Sequence, residues 1–287
     1  MNLLQKLKRK IYKITHPIVG EIWCLHRVVP RRSDFKRNRE LEITPDYLEQ
    51  LIQQYQGNGS KFTDIDTVIK KISHYGMPWK HKLVNISFDD GFQDVYTYAY
   101  PILKKYNIPF TIYLTTDFPD KKADLWWLKL EQIVEDNDQY EQVCEQIYIS
   151  KENMLDAFKQ YVEESGCQTE DKIDEWALSW DQIKEMVDSG LCTIGSHTKT
   201  HPGLTKISDV DCVSELQESA EIISGYIGER PMHFSYPHSF YSKQVTDNVR
   251  RAKYISATIG YGGVIRMGDN PYMLNRNYIV QLDDKSE

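Results

Sequence analysis

The sequence predicts an α/β fold built on a parallel sheet or barrel. Three observations carry this expectation. Several short apolar runs are continuous rather than alternating, as in strands covered on both faces. Amphipathic stretches with recognisable helix ends lie between them. The chain has 287 residues, an ordinary length for one α/β barrel.

Taken in chain order, strands are expected at residues 22–29, 83–88, 110–114, 192–195, 233–236, 255–259 and 278–281. Helices are expected between them. Residues 45–55 follow a capping Thr44, with Pro45 at the first helical position. Residues 94–106 end just before Asn107 and Pro109, and residues 180–188 end near Gly190, a natural helix stop. Residues 209–226 form a long amphipathic stretch, and residues 242–252 precede the next strand. Residues 124–178 break the alternation. They read as wholly helical, rich in Glu and Gln, with Trp126, Trp127 and Trp176. We treat them as a helical insertion in a barrel domain spanning 21–287, preceded by a basic segment at 1–20.

Hydrophobic residues make up 40% of the chain and charged residues 27%, which fits a folded globular protein rather than a disordered one. The net charge of −7 argues against a nucleic-acid partner, which needs a basic face. The five Cys are scattered, and no C-x-x-C pair occurs, so reduced, mostly buried thiols are expected. No apolar run approaches a membrane span. Leu3, Leu7, Ile11 and Ile14 recur at helical spacing among lysines and an arginine. Residues 1–15 therefore read either as a basic helix in peripheral contact with an anionic membrane or as a terminal helix packed on the domain. Lys13, His16 and Glu21 interrupt the apolar stretch that a secretory signal needs. A cytoplasmic, at most membrane-associated, location is the expectation.

Two segments carry chemistry. In LVNISFDDGFQD an apolar strand runs into Asp89, Asp90 and Gly91. Adjacent carboxylates at a strand end repel each other and need a cation or hydrogen bonds to compensate; a capped turn is the structural alternative. In IGSHTKTHPG, His197 and His201 stand four apart after another apolar strand. In a helical turn that spacing puts both imidazoles on one side, where they can share a metal ion. Either signal alone is weak. Together, one carboxylate and two imidazoles make a ligand set that leaves positions open for water and substrate.

SFDDG, SHTKTH and FSYPHS together resemble the polysaccharide deacetylase family, the NodB-homology domain of carbohydrate esterase family four. The resemblance runs from about Glu21 to Val280. It implies a distorted (β/α) barrel, here with about seven strands, and metal-dependent removal of acetyl groups from sugars, usually with zinc. By position it makes Asp89 the catalytic base and Asp90, His197 and His201 the ligands of one divalent metal. Such a set also accepts cobalt, iron or nickel. It places Tyr236, Pro237 and His238 on the substrate side, with a backbone N–H near His238 facing the oxyanion. This chain departs from the family at three points. Ser235 stands where an arginine often holds the catalytic Asp, His238-Ser239 replace Tyr-Gly, and no histidine lies near Leu274-Asn275-Arg276. His26, in IWCLHRVV, resembles the early histidine of permuted family members and is a candidate general acid, with His238 as the other. Arg276 is read as a cation for a carboxylated or phosphorylated substrate, as the missing holder of Asp89, or as one half of a surface ion pair. Trp126 and Trp127 could wall a sugar ring or simply pack the insertion.

The resulting expectation is a metal-dependent deacetylase of an N-acetylated sugar in glycan or surface polysaccharide biosynthesis. The alternatives are a hydrolase of another acyl or C–N amide group and a non-catalytic glycan-binding relative.

Overall fold

A computed structural model of the protein describes residues 15–73, 81–150 and 154–282. The basic stretch that carries the membrane-contact expectation, residues 1–14, lies outside them. Among the described residues, no helix is long and apolar enough to cross a membrane.

The strands are β1 (Ile18–Leu25), β2 (Arg27–Val28), β3 (Glu42–Ile43), β4 (Lys61–Phe62), β5 (Leu83–Asp90) and β6 (Phe110–Leu114). They continue with β7 (Cys192–Ser196), β8 (His233–Ser235), β9 (Ser256–Ile259), β10 (Ile265–Arg266), β11 (Leu274–Asn275) and β12 (Asn277–Tyr278). Parallel neighbours run β1-β5-β6-β7-β8-β9-β11, and β12 returns to pair with β1. Leu274 and Asn275 face Thr258 and Ile259 of β9, whereas Asn277 and Tyr278 face Trp23 and Cys24 of β1. Arg276, between them, is therefore the seam of a nearly closed barrel. Among the described residues, counting β11 and β12 as one stave gives seven staves, in line with the expected number.

All eight residues of β5 are buried, as a stave covered by helices outside and side chains inside requires. Trp23, Ile86, Phe88, Phe110 and Ile112 join Leu48, Leu103 and Ile183 of the outer helices in one cluster. Each such side chain contributes roughly 1.5–3 kcal/mol on burial. Gly20 lets β1 approach β5: a Cβ there would lie 2.0 Å from the carbonyl oxygen of Leu83.

Differences from the expected boundaries have physical causes. β1 starts at Ile18, four residues early, because Glu21 is buried inside it. Its carboxylate meets Lys82 Nζ at 3.0 Å and accepts from Asn277 Nδ2 at 2.9 Å. The chain leaves the barrel at His26, and Arg27–Val28 pair with Glu42–Ile43 in a separate ribbon. The last stave ends at Tyr278, the first residue of the stretch expected at 278–281. The helix expected at 94–106 begins as a π-turn, Val95–Ala99, before Tyr100–Lys105; Pro101 brings no N–H to the ladder. Helix Ile65–Ser73 and strand β4 were not expected at all. Helices Pro45–Gly57 and Trp180–Asp188 stand where their caps put them.

Between β6 and β7 the described chain forms helices Trp126–Leu130, Asn137–Ile149, Met154–Ser165 and Ile173–Trp176. Trp126, Leu130, Tyr140, Cys144 and Phe158 pack into a cluster of their own. The five cysteines are unpaired, and Cys167 is the exposed one.

Candidate active site

The C-terminal ends of β1, β5, β7, β8 and β12 converge on a cavity of about 520 Å³. At the end of β5 the chain must turn at once. Asp90 (φ 75°) and Gly91 (φ 116°) adopt left-handed backbone conformations, which points the two neighbouring carboxylates into the barrel mouth rather than to opposite faces of a strand.

Asp89 is gripped by Arg276. Nη1 donates to Oδ1 at 2.6 Å and Nη2 to Oδ2 at 2.5 Å. The same guanidinium donates to Ser87 Oγ at 3.2 Å and Ser235 Oγ at 2.9 Å, and lies 5.2 Å from the centre of the Tyr113 ring. Burial alone would raise the Asp89 carboxyl; Arg276, with His197, overrides it and holds the group below the usual carboxylate range. Both Nη atoms of Arg276 are thus taken by Asp89, Ser87 and Ser235, while its buried Nε has no hydrogen-bond partner. This grip supports the reading in which Arg276 replaces the arginine absent at Ser235.

Asp90 faces His197 and His201. Its Oδ1 lies 3.6 Å from His197 Nε2 and 3.2 Å from His201 Nε2, and this buried oxygen accepts no well-formed hydrogen bond. His197 Nδ1 donates to the carbonyl of Ser235 at 2.8 Å. That bond fixes the tautomer, so Nε2 turns its lone pair toward Asp90. Burial pushes His197 down to about 4, against the pull of Asp89. One donor atom from each of Asp90, His197 and His201 lies within 4.8 Å of the others. An orphaned carboxylate oxygen and neutral imidazole nitrogen aimed at one point fit a divalent cation. The His pair does not reach this arrangement through a helical turn, as expected. Thr198 (φ 70°) and His201 (φ 64°) are left-handed, and Thr198 Oγ1 accepts from the His201 amide at 3.0 Å. A loop, not a helix, brings the rings together, with centroids 4.9 Å apart.

His26 sits just past β1. One of its ring nitrogens, Cys24 Sγ and an Asp89 oxygen all lie within 4.8 Å of one another. Its ring stacks parallel to Tyr278 at 5.9 Å. Burial lowers its pKa, partly opposed by Asp90 and Asp89. Cys24 and Tyr278 were not singled out from sequence; an ordinary strand cysteine and a tyrosine carry no local signal.

The other expected residues divide. His238 (φ 55°) lines the cavity 4.6 Å from the His201 ring, and its buried Nε2 has no partner. Tyr236 borders the cavity, but its ring joins the core and its hydroxyl donates to the Tyr272 carbonyl at 3.1 Å. Pro237 is buried and starts the short turn Pro237–Ser239. Trp126 and Trp127 both line the cavity, Trp127 at 5.5 Å from His201, so packing the insertion and walling the site are the same placement. Tyr148, from the insertion, approaches His238 Nδ1 at 3.4 Å and was missed because nothing in its helix sequence marks that face.

A family model described as polysaccharide deacetylase matches residues 77–257. No curated protein matches the chain. Among solved structures the fold is similar to the Streptococcus pyogenes deacetylase PplD in complex with acetate, at 21% identity and TM-score 0.67, over 92% of this chain and 93% of that one. It is similar to IcaB from Ammonifex degensii at 20% identity and TM-score 0.65, over 92% of both chains. The de-N-acetylase from Aggregatibacter actinomycetemcomitans gives 18% identity and TM-score 0.65, over 91% and 95%. At these identities the likeness is one of fold.

Proposed function

Since the chain belongs to the polysaccharide deacetylase family, we propose that it is a metal-dependent hydrolase that removes acetyl from an N-acetylated sugar during glycan or surface polysaccharide assembly. Asp90, His197 and His201 hold one divalent cation, with zinc the first candidate. Such a cation supplies positive charge that acidifies a water and polarises the acetyl carbonyl.

The chain's own residues do the rest. Asp89, kept ionised and fixed in orientation by Arg276, accepts a proton from the attacking water. A backbone N–H of the Pro237–Ser239 turn donates to the developing oxyanion. His26, beside Asp89, gives a proton to the departing amine. His238 lines the substrate side. One observation carries this reading: an anchored carboxylate stands next to an unpartnered one that faces two imidazoles.

The test is acetate release from N-acetylglucosamine oligomers by the zinc- or cobalt-loaded protein, repeated after chelation. Release that stops with the chelator and returns with metal supports the proposal. Metal binding without acetate from any acetylated sugar refutes it.

A further inference from the structure

One flank of the cavity is closed by a seam that the chemistry of hydrolysis does not require. Residues 33–38 are laced to the helices between β6 and β7. Ser33 Oγ donates to Glu131 Oε1 at 2.7 Å, and the Lys36 amide donates to Asn137 Oδ1 at 2.6 Å. The buried Asn38 amide donates to Glu131 Oε1 at 2.6 Å and to the Trp127 carbonyl at 3.3 Å. The Tyr140 hydroxyl donates to that carbonyl at 2.9 Å. Arg37 donates twice to Glu141 Oε2, at 3.1 and 2.7 Å, and its guanidinium lies 5.4 Å from the centre of the Tyr148 ring. Tyr148 then meets His238. Among the described residues, the seam runs from the loop after β2 to the loop after β8.

The opposite flank differs. Tyr278 lines the cavity and is 43% exposed. Tyr261 is 66% exposed, and its hydroxyl donates to the carbonyl of Ser239, on the cavity rim, at 3.4 Å.

From this asymmetry we infer that the cavity, closed on the insertion side among the described residues, takes the acetamido sugar at one end of a glycan chain, the rest of the chain leaving over Tyr261 and Tyr278. The inference rests on the deacetylase reading above and narrows its substrate. A glycan reacting at an internal unit needs two open flanks, one for the sugars before that unit and one for those after it. Crossing the seam would leave Asn38 and Tyr140 buried without their partners, which is costly. Tyrosine rings with exposed faces and a polar tip suit sugars passing outward.

Short glucosamine oligomers carrying a single acetyl group, placed at the first, an internal or the last unit, test this. The zinc-loaded full chain should release acetate from one terminal isomer more than about tenfold faster than from internal isomers, the scale a positional contact sets. Equal rates on internal and terminal isomers overturn the inference while leaving the deacetylase reading intact. No acetate from any isomer sinks that reading, and this inference with it. Arg37→Ala and Glu141→Ala cut the seam from its inner and outer sides. In variants shown by circular dichroism to be folded, the internal-to-terminal ratio should rise; an unchanged ratio in both overturns the role given to the seam.

Discussion

Arg276 and Asp89, 187 positions apart and both almost wholly buried, are joined by two parallel N–H···O bonds of 2.6 and 2.5 Å. A planar fork sets the orientation of a carboxylate as well as its charge, and lysine cannot reproduce it. Arg276→Lys should keep metal content and lower turnover by about 100-fold, within the range assigned to a general base. Arg276→Ala strands a buried carboxylate and should cost about 3–5 kcal/mol of stability in urea unfolding. Near-native turnover in the lysine variant would show that Asp89 needs no fork.

Asp90→Asn keeps the shape of the side chain and removes its charge. Metal affinity should fall by at least 10- to 100-fold, the scale seen even for partners behind the ligands, as read by cobalt absorbance or metal analysis after dialysis. Full metal content in this variant would remove Asp90 from the ligand set.

His26→Gln should leave metal binding unchanged and reduce turnover by about 100-fold or more, as loss of a proton donor does. The effect should shrink for substrates whose leaving group needs no protonation, such as an activated phenyl acetate. An equal loss on both substrates would assign His26 a structural role instead.

Asp117 offers a test of pH-dependent stability away from the cavity. Burial pushes its carboxyl up to about 6 from 3.8, although Lys199 pulls the other way, and its Oδ1 has no partner. The folded state therefore binds this proton more tightly than the unfolded chain does. The resulting stabilisation is complete below pH 3.8 and is lost as pH rises through 6. Asp117→Asn should flatten that part of the stability profile and raise the melting temperature at pH 7.5 by about 2 °C or more. A lower melting temperature at that pH would contradict this account of the side chain.

The parallel strands and the cluster Asp89, Asp90, His197 and His201 were legible because each pair follows a short strand-like segment rich in apolar residues. The expected helical turn for the His pair was wrong because spacing alone cannot distinguish a helix from a loop with two left-handed residues. The role of Arg276 stayed open between substrate, Asp89 and a surface ion pair, since it depends on which stave the last segment joins; its burial removes the surface reading. Here that segment joins two, leaving β9 at Asn275 and reaching β1 at Asn277. Glu21 hid the start of β1 because a buried, paired carboxylate looks like surface in a one-dimensional reading. Tyr148 and Cys24 gain their positions from contacts distant in sequence, so no local pattern marks them.

Placing the barrel seam at Arg276 also orders events during synthesis. A chain elongated as far as residue 270 already contains every expected metal ligand but lacks the guanidinium that neutralises Asp89 and the stave that completes the ring. Closing the mouth around that uncompensated carboxylate is unfavourable. The hydrolytic end of the molecule therefore assembles last, after the final strand is available, and a nascent chain carries no finished pocket.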